Sequence, residues 1–242
     1  MTPEGKKSRI EIFKRAELFA GLPEDELGQV GRFFKSAQFE QDETIFLEGE
    51  PADSFHLVAS GKVKVVQTSA EGLEVILHIF DPGGVLGALP AVGNDTYPAS
   101  AVTLEPVETY FINHEDFEQL MEQHPRVARN LLGFATRMLQ AAHRRLRELS
   151  TEKVERRIAR TLVRLTTQLG EEKGDSLLID APLSRQDLAD MSGTTLYTVS
   201  RTLKEWERAG ILVARRKQVE ILRAHKLIAI AEDLPEQDQP EG

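Results

Sequence analysis

Three kinds of side chain recur at fixed spacing in residues 184–210, SRQDLADMSGTTLYTVSRTLKEWERAG: hydroxyls, small residues and long cations. Ser184 and Asp187 have the spacing of a capping box, which starts a short helix with Leu188 and Ala189 inside. Ala189 and Gly193 stand four apart, giving the small contact residue and the left-handed turn that two crossing helices need. Thr194 or Thr195 caps a second helix, whose buried face is Val199 and Leu203. Tyr197, Thr198, Ser200, Arg201 and Lys204 are left on or near its exposed side, with Ser184 and Arg185 at the start of the first helix. Past Gly210, ILVARRKQVEILR reads as two strands around Arg215, Arg216 and Lys217. The chemistry that suits this set is contact with duplex DNA. Arg201 can offer a bidentate donor pair to a guanine edge in the major groove. Capped N–H and hydroxyl groups can hold a phosphate, and so can a basic wing. A helical hairpin without a nucleic-acid partner, or a winged helix that docks on protein, is the alternative reading.

Other elements must position this pair. Residues 9–20 and 24–34 have helical spacing of apolar positions and are separated by Gly21-Leu22-Pro23. From about Ser36 the period shortens. QFEQDETIFLEG, SFHLVASGKVKVVQT, LEVILHIF and SAVTLEPVETYFIN are strand-like, with Ser60-Gly61 and Glu71-Gly72 at turn positions. Short strands at regular spacing predict a compact antiparallel roll or barrel. Asn113 and Asp116 cap a returning helix, Pro125 interrupts it, and a long helix follows. On that helix Leu132, Ala135, Leu139, Ala142, Leu146 and Leu149 repeat at alternating steps of three and four, the period of a coiled-coil seam. Packing on the helix's own domain is the alternative. Ser150-Thr151 is expected to break this helix and cap the next, which ends at Gly170; GEEKGDS then reads as a hydrophilic stretch and LLIDAPLS as a strand and turn. The fold class is thus α+β. Its expected parts are a β-rich domain with N-terminal helices at 1–124, a long dimerisation helix at 125–149, a winged helix-turn-helix at 150–234 and an acidic, disordered tail at 235–242.

Composition narrows the function classes. The net charge is −9, yet residues 144–226 hold 18 Lys and Arg against 12 Asp and Glu, while residues 1–143 hold 12 against 22. An acidic front and a basic back fit a separate phosphate-binding domain. There are no cysteines, so no disulfide framework, thiolate metal site or cysteine-held iron–sulfur cluster is available. Enzymatic chemistry finds no support: there is no Gly-rich phosphate loop before a helix, no HExxH and no Cys nucleophile. No catalytic residues and no metal ligands are assigned. No apolar run approaches membrane-spanning length, and MTPEGKKSRIEIFKRAELF lacks a secretory apolar core, so the expected location is the cytoplasm.

Over nearly its whole length the chain resembles the CRP/FNR family of bacterial transcription regulators. The residues that carry the likeness are LFAGLPEDEL, IFLEGEPADSFHLVASGKVKV, the long helix, and LSRQDLADMSGTTLYTVSRTLKEWERAGIL. The resemblance implies a cyclic-nucleotide-binding-type β-roll, a homodimer about the long helix, a winged helix-turn-helix on a palindromic DNA site, and RNA polymerase as a partner. It also exposes departures. The family's cyclic-AMP binders carry a Glu and an Arg-Ser pair, where this chain has Ala88 and Ala99-Ser100. A cyclic phosphate would meet no cation there, so cyclic AMP is not expected. The candidate effector pocket is Leu86, Ala88, Leu89, Pro90, Ala99 and Ser100, closed by Phe134 or Met138. It reads as apolar, as in the family's haem-using nitric-oxide sensors. His56, His78, His114, His124 and His143 are the candidate haem ligands, against the plainer reading of ordinary surface and sheet-face histidines. Constitutive binding without an effector is the alternative. In the reading helix Tyr197 replaces a common Glu, while Ser200-Arg201 matches the nitrogen- and oxygen-responsive branch and implies a TTG-like guanine contact.

Overall fold

The computed structural model describes residues 3–70, 72–89, 96–215 and 217–234, so Pro90, Arg216 and the 235–242 tail lie outside the described residues. The chain divides into two compact units, residues 1–142 and 143–242.

In the first unit, α1 (Pro3–Arg15) and α2 (Glu24–Val30) precede eight strands among the described residues. These are β1 (Lys35–Phe39), β2 (Thr44–Phe46), β3 (Ser54–Ser60), β4 (Val63–Thr68), β5 (Glu74–Phe80), β6 (Val85–Leu86), β7 (Ser100–Thr103) and β8 (Val107–Asn113). They form two four-stranded sheets, ordered β1-β8-β3-β6 and β2-β7-β4-β5, with antiparallel neighbours throughout. The expected roll is therefore present. Strand β3 shows how two-residue periodicity builds it, because it is buried on both faces. Phe55 and Leu57 join the cluster under the helices, with Phe13, Phe19, Phe34 and Phe117. Val58 points the other way, into a cluster of Phe46, Val63, Leu86, Tyr97 and Ala101. The β3–β4 turn needs glycine: Gly61 has φ +76°, and a Cβ there would collide with the Pro106 carbonyl.

His56, also on β3, is only 7% exposed, and its Nδ1 lies 3.0 Å from the Thr109 hydroxyl. Burial holds its imidazole down at about 4. The unfolded chain takes up this proton near pH 6.5 and the folded chain only near pH 4. Stability from this residue is therefore intact above about 6.5 and is lost as pH falls towards 4. Thermal melts between pH 7 and 4 should show this acid slope, and a His56→Gln variant should show less of it.

Asn113 accepts the Asp116 N–H at 2.7 Å and starts α3 (His114–Gln123), as expected. The long helix α4 follows as Pro125–Thr151, two residues past its predicted end. Ser150 and Thr151 do not break it. Their hydroxyls donate back to the Leu146 and Arg147 carbonyls, both at 2.8 Å, so they continue the helix instead of capping the next one. The next helix, α5 (Val154–Leu169), has Lys153 at its N-cap with no side-chain bond.

The second unit continues with β9 (Gly170–Lys173), β10 (Ser176–Ile179), α6 (Arg185–Ser192), α7 (Leu196–Arg208), β11 (Leu212–Arg215), β12 (Gln218–Ile221) and α8 (Ala224–Glu232). Its sheet runs β11-β12-β10-β9. The hydrophilic stretch GEEKGDS is thus a hairpin, with Lys173 opposite Ser176, and α8 is a helix that sequence reading missed. Among the described residues no helix is long and apolar enough to cross a membrane.

Candidate nucleic-acid interface

The first helix of the reading pair is fixed at its start. The Ser184 Oγ accepts the Asp187 N–H at 3.0 Å, while the Asp187 carboxylate accepts the Ser184 N–H at 2.7 Å and its hydroxyl at 2.5 Å. Both polar groups of Ser184 are thereby engaged by the cap. Ser184→Ala should cost about 1 kcal/mol of stability by chemical denaturation.

The turn that follows is held from three sides. Gly193 adopts a left-handed φ of +59°. A Cβ there would sit 2.5 Å from Leu149 Cδ2, so the backbone conformation and the packing both demand glycine. Arg157 spends all three kinds of donor nitrogen on main-chain carbonyls: Nε on Ser192 at 3.0 Å, Nη2 on Gly193 at 3.0 Å and Nη1 on Glu152 at 2.9 Å. A second chain of contacts runs beside it. Buried Glu148 pairs with Arg164 at 2.8 Å, Arg164 donates to Thr161 at 3.1 Å, and Thr161 meets Ser192 at 3.3 Å. Arg145 lies near this group, its pKa lowered to about 10 by burial first and then by Arg164. Sequence reading assigned these residues no such contacts, because nothing in their local spacing sets Arg157, Glu148 or Arg164 apart from the other charges of 144–164.

Helix α7 is the second of the pair. Thr195 caps it by accepting the Thr198 N–H at 3.3 Å, and Val199, Thr202, Leu203 and Trp206 are buried. The remaining face is open: Leu196, Tyr197, Arg201 and Lys204 are exposed, while Thr198 and Ser200 are partly so. Arg201 Nε lies 3.9 Å from Glu205, a loose solvent-exposed pair that leaves the guanidinium available. The wing is the β11–β12 hairpin, with exposed Arg215 and Lys217, and Glu207 ties it to α7 by accepting the Ala214 N–H at 2.9 Å. Tyr197, Thr198, Ser200, Arg201 and Lys204 therefore share α7, and Arg215 and Lys217 the adjoining hairpin, while Ser184 and Arg185 stand at the start of α6 and Thr194 in the turn between the two helices.

The candidate effector residues are divided. Ala88 and Phe134 belong to the helical cluster, Leu86 to the roll interior, and Ala99 is buried while Leu89 is exposed. Two cavities of about 440 and 260 Å³ lie beside α2, and neither is lined by a candidate pocket residue. Three of the five candidate haem ligands are engaged within the fold. His56 is enclosed by Phe39, Phe46 and Phe111, and His114 and His124 pair with Glu118 and Glu26. Neither cavity touches a histidine. Among the described residues no group of three or more His, Asp or Glu could hold a metal ion.

Comparison with known proteins agrees with this architecture. Residues 36–124 match the family model of the cyclic nucleotide-binding domain, and residues 156–230 match that of the Crp-like helix-turn-helix domain. The cyclic AMP receptor protein of Thermus thermophilus is 32% identical over 218 residues, covering 90% of this chain and 98% of its own. The chain belongs to the CRP/FNR family. A CRP-like cAMP-activated global transcriptional regulator of Mycobacterium tuberculosis is 26% identical over 217 residues, covering 90% of this chain and 97% of that protein. FixK2 of Bradyrhizobium japonicum has the same fold, with a TM-score of 0.73 at 24% identity over 81% of this chain and 96% of its own. This CRP/FNR protein is accordingly a sequence-specific, DNA-binding transcription regulator and not an enzyme.

Proposed function

We propose that the regulator acts as a homodimer paired along α4, reads a palindromic operator with α7 of each copy, and answers to no cyclic AMP. The observation that carries the dimer is the exposure of four leucines at seam spacing: Leu132 at 71%, Leu139 at 57%, Leu146 at 65% and Leu149 at 43%. Such a stripe on one helix is costly in water and suits a second copy of the same helix. Ala135 and Ala142, between the leucines, let two helices approach closely. Pairing places two α7 helices on two half-sites, with Arg201 on a guanine edge and Arg215, Lys217 and Lys204 towards phosphates. Ser184 contributes as a cap, and Arg185, Thr194, Thr195, Tyr197, Thr198 and Ser200 border the groove. The domain bounds, 1–124, 125–149, 150–234 and 235–242, assign sensing, pairing, reading and tail to separate segments.

The names of the receptor-type relatives carry cyclic AMP, but buried Ala88 and Ala99 offer no charge to a ribose or a phosphate. Any effector of the roll is therefore of another class. A regulator active without an effector is the second reading. It is favoured by Tyr97, whose ring fills the roll interior against Phe46 with centroids 3.9 Å apart and whose hydroxyl donates to the Ser54 carbonyl at 2.6 Å. RNA polymerase is the further partner, and the cytoplasm the location. The test is selection of bound sequences from a random duplex pool, with and without cyclic AMP. An enriched palindrome with half-sites about one helical turn apart, the same in both arms, is expected. A non-palindromic site, or one recovered only with cyclic AMP, would overturn the proposal.

A further inference from the structure

The smaller of the two cavities beside α2, about 260 Å³, lies between α1 and α2 and has no part in the proposed function. Ile10, Phe13 and Leu27 give it an apolar wall continuous with the helical cluster. Two glycines keep it open. A Cβ on Gly28 would meet nothing within 4 Å, and one on Gly31 would come no closer than 3.9 Å to Arg9 Nε. Two cations line the same space, Arg9 and the exposed Arg32. Arg9 is fixed in place: its Nη2 donates to the Phe34 carbonyl at 2.6 Å, and its guanidinium carbon lies 4.5 Å from the centre of the Tyr110 ring. Its Nε is buried and has no hydrogen-bond partner. Neither arginine has an ion pair among the described residues. A buried donor on a cation is costly to leave unpaired, and burial lowers the pKa of Arg9 against the raising influence of Tyr110 and Glu108.

We infer that this cavity binds an aliphatic monocarboxylate, with its chain against Ile10, Phe13 and Leu27 and its carboxylate on Arg9 Nε and Arg32. A small inorganic anion would satisfy the arginines but leave the apolar wall facing polar oxygens. A neutral hydrocarbon would cover the wall and leave Nε unpaired. A carboxylate on an alkyl chain answers both. At about 30 Å³ for a water-sized group, the cavity admits roughly nine such groups, which matches heptanoate with its seven carbons and two oxygens. The site is built from α1, α2 and the turn before β1, so the inference does not depend on the dimer or the operator.

The test is calorimetric titration of the full chain with heptanoate, and with heptanamide as its neutral match. Heptanoate is expected to saturate at one per chain, and the amide to bind about tenfold to hundredfold more weakly, the usual effect of losing a charge-assisted hydrogen bond. Arg9→Gln should lose heptanoate affinity by the same factor. Gly31→Leu should abolish binding, because its side chain would fill the space beside Nε. Gly31 has an ordinary φ of −58°, so its backbone accepts leucine without strain, and thermal melts check that both variants fold. If Arg9→Gln does not fold, the amide comparison and Gly31→Leu still decide. No saturation by about 10 mM, equal affinity for acid and amide, or undiminished binding to Gly31→Leu would each overturn the inference.

Discussion

Leu139→Arg is expected to give a folded monomer that binds the operator about a hundredfold to ten-thousandfold more weakly. Leu139 is exposed, so its loss takes nothing from either core of the chain. On a paired helix the new guanidinium would face its own symmetry mate in a desolvated seam, which neither charge could tolerate. The consequence for DNA is the loss of linkage. Two half-sites bound by one dimer gain an effective concentration that two separate chains lack, and the stated factor is the usual size of that gain. Sedimentation velocity gives the mass, and titration of the operator gives the affinity. A dimer that persists, or a monomer with undiminished affinity, would rule out the α4 seam.

Arg201→Ala is expected to strike harder on specific than on random DNA. One bidentate arginine–guanine pair discriminates by about 1–3 kcal/mol. A two-fold complex makes it twice, for about 2–6 kcal/mol, or about thirtyfold to twenty-thousandfold. The exposed contact with Glu205 at 3.9 Å holds Arg201 too weakly to offset this. The signature is relaxed preference at one base pair in each half-site, together with a much smaller fall on random duplex. Equal losses on both would reduce Arg201 to a phosphate contact.

The reading pair was legible because local chemistry determines it. A capping box, a left-handed glycine and a threonine cap are each written in four or five consecutive residues, and Ser184–Asp187, Gly193 and Thr195 take those roles in space. The strands of the roll were legible for a similar reason, since β3 buries Phe55 and Leu57 on one face and Val58 on the other. Strand β9 was not: all four of its residues are exposed, so no alternation marks it, and it pairs with β10 across the turn at Gly174. Ser150-Thr151 misled because a hydroxyl that caps one helix can equally bond back into the preceding one. The Glu148–Arg164 and Arg157 contacts depend on helices that approach only after folding, and no spacing in the chain announces them. The candidate pocket was drawn from neighbours in sequence, whereas alternate residues near Leu86 and Ala88 turn into different clusters.

Arg157 clamps Glu152, just past the end of α4, to Ser192 and Gly193 of the helix-turn-helix. Leu149, seated where a Cβ on Gly193 would lie, locks the same joint. Residues 143–151 and α7 then turn together, as the shank of a key turns its bit. If α4 pairs as proposed, one extra base pair between half-sites turns the second site by about a tenth of a turn, and this joint is one that would have to yield for α7 to follow it.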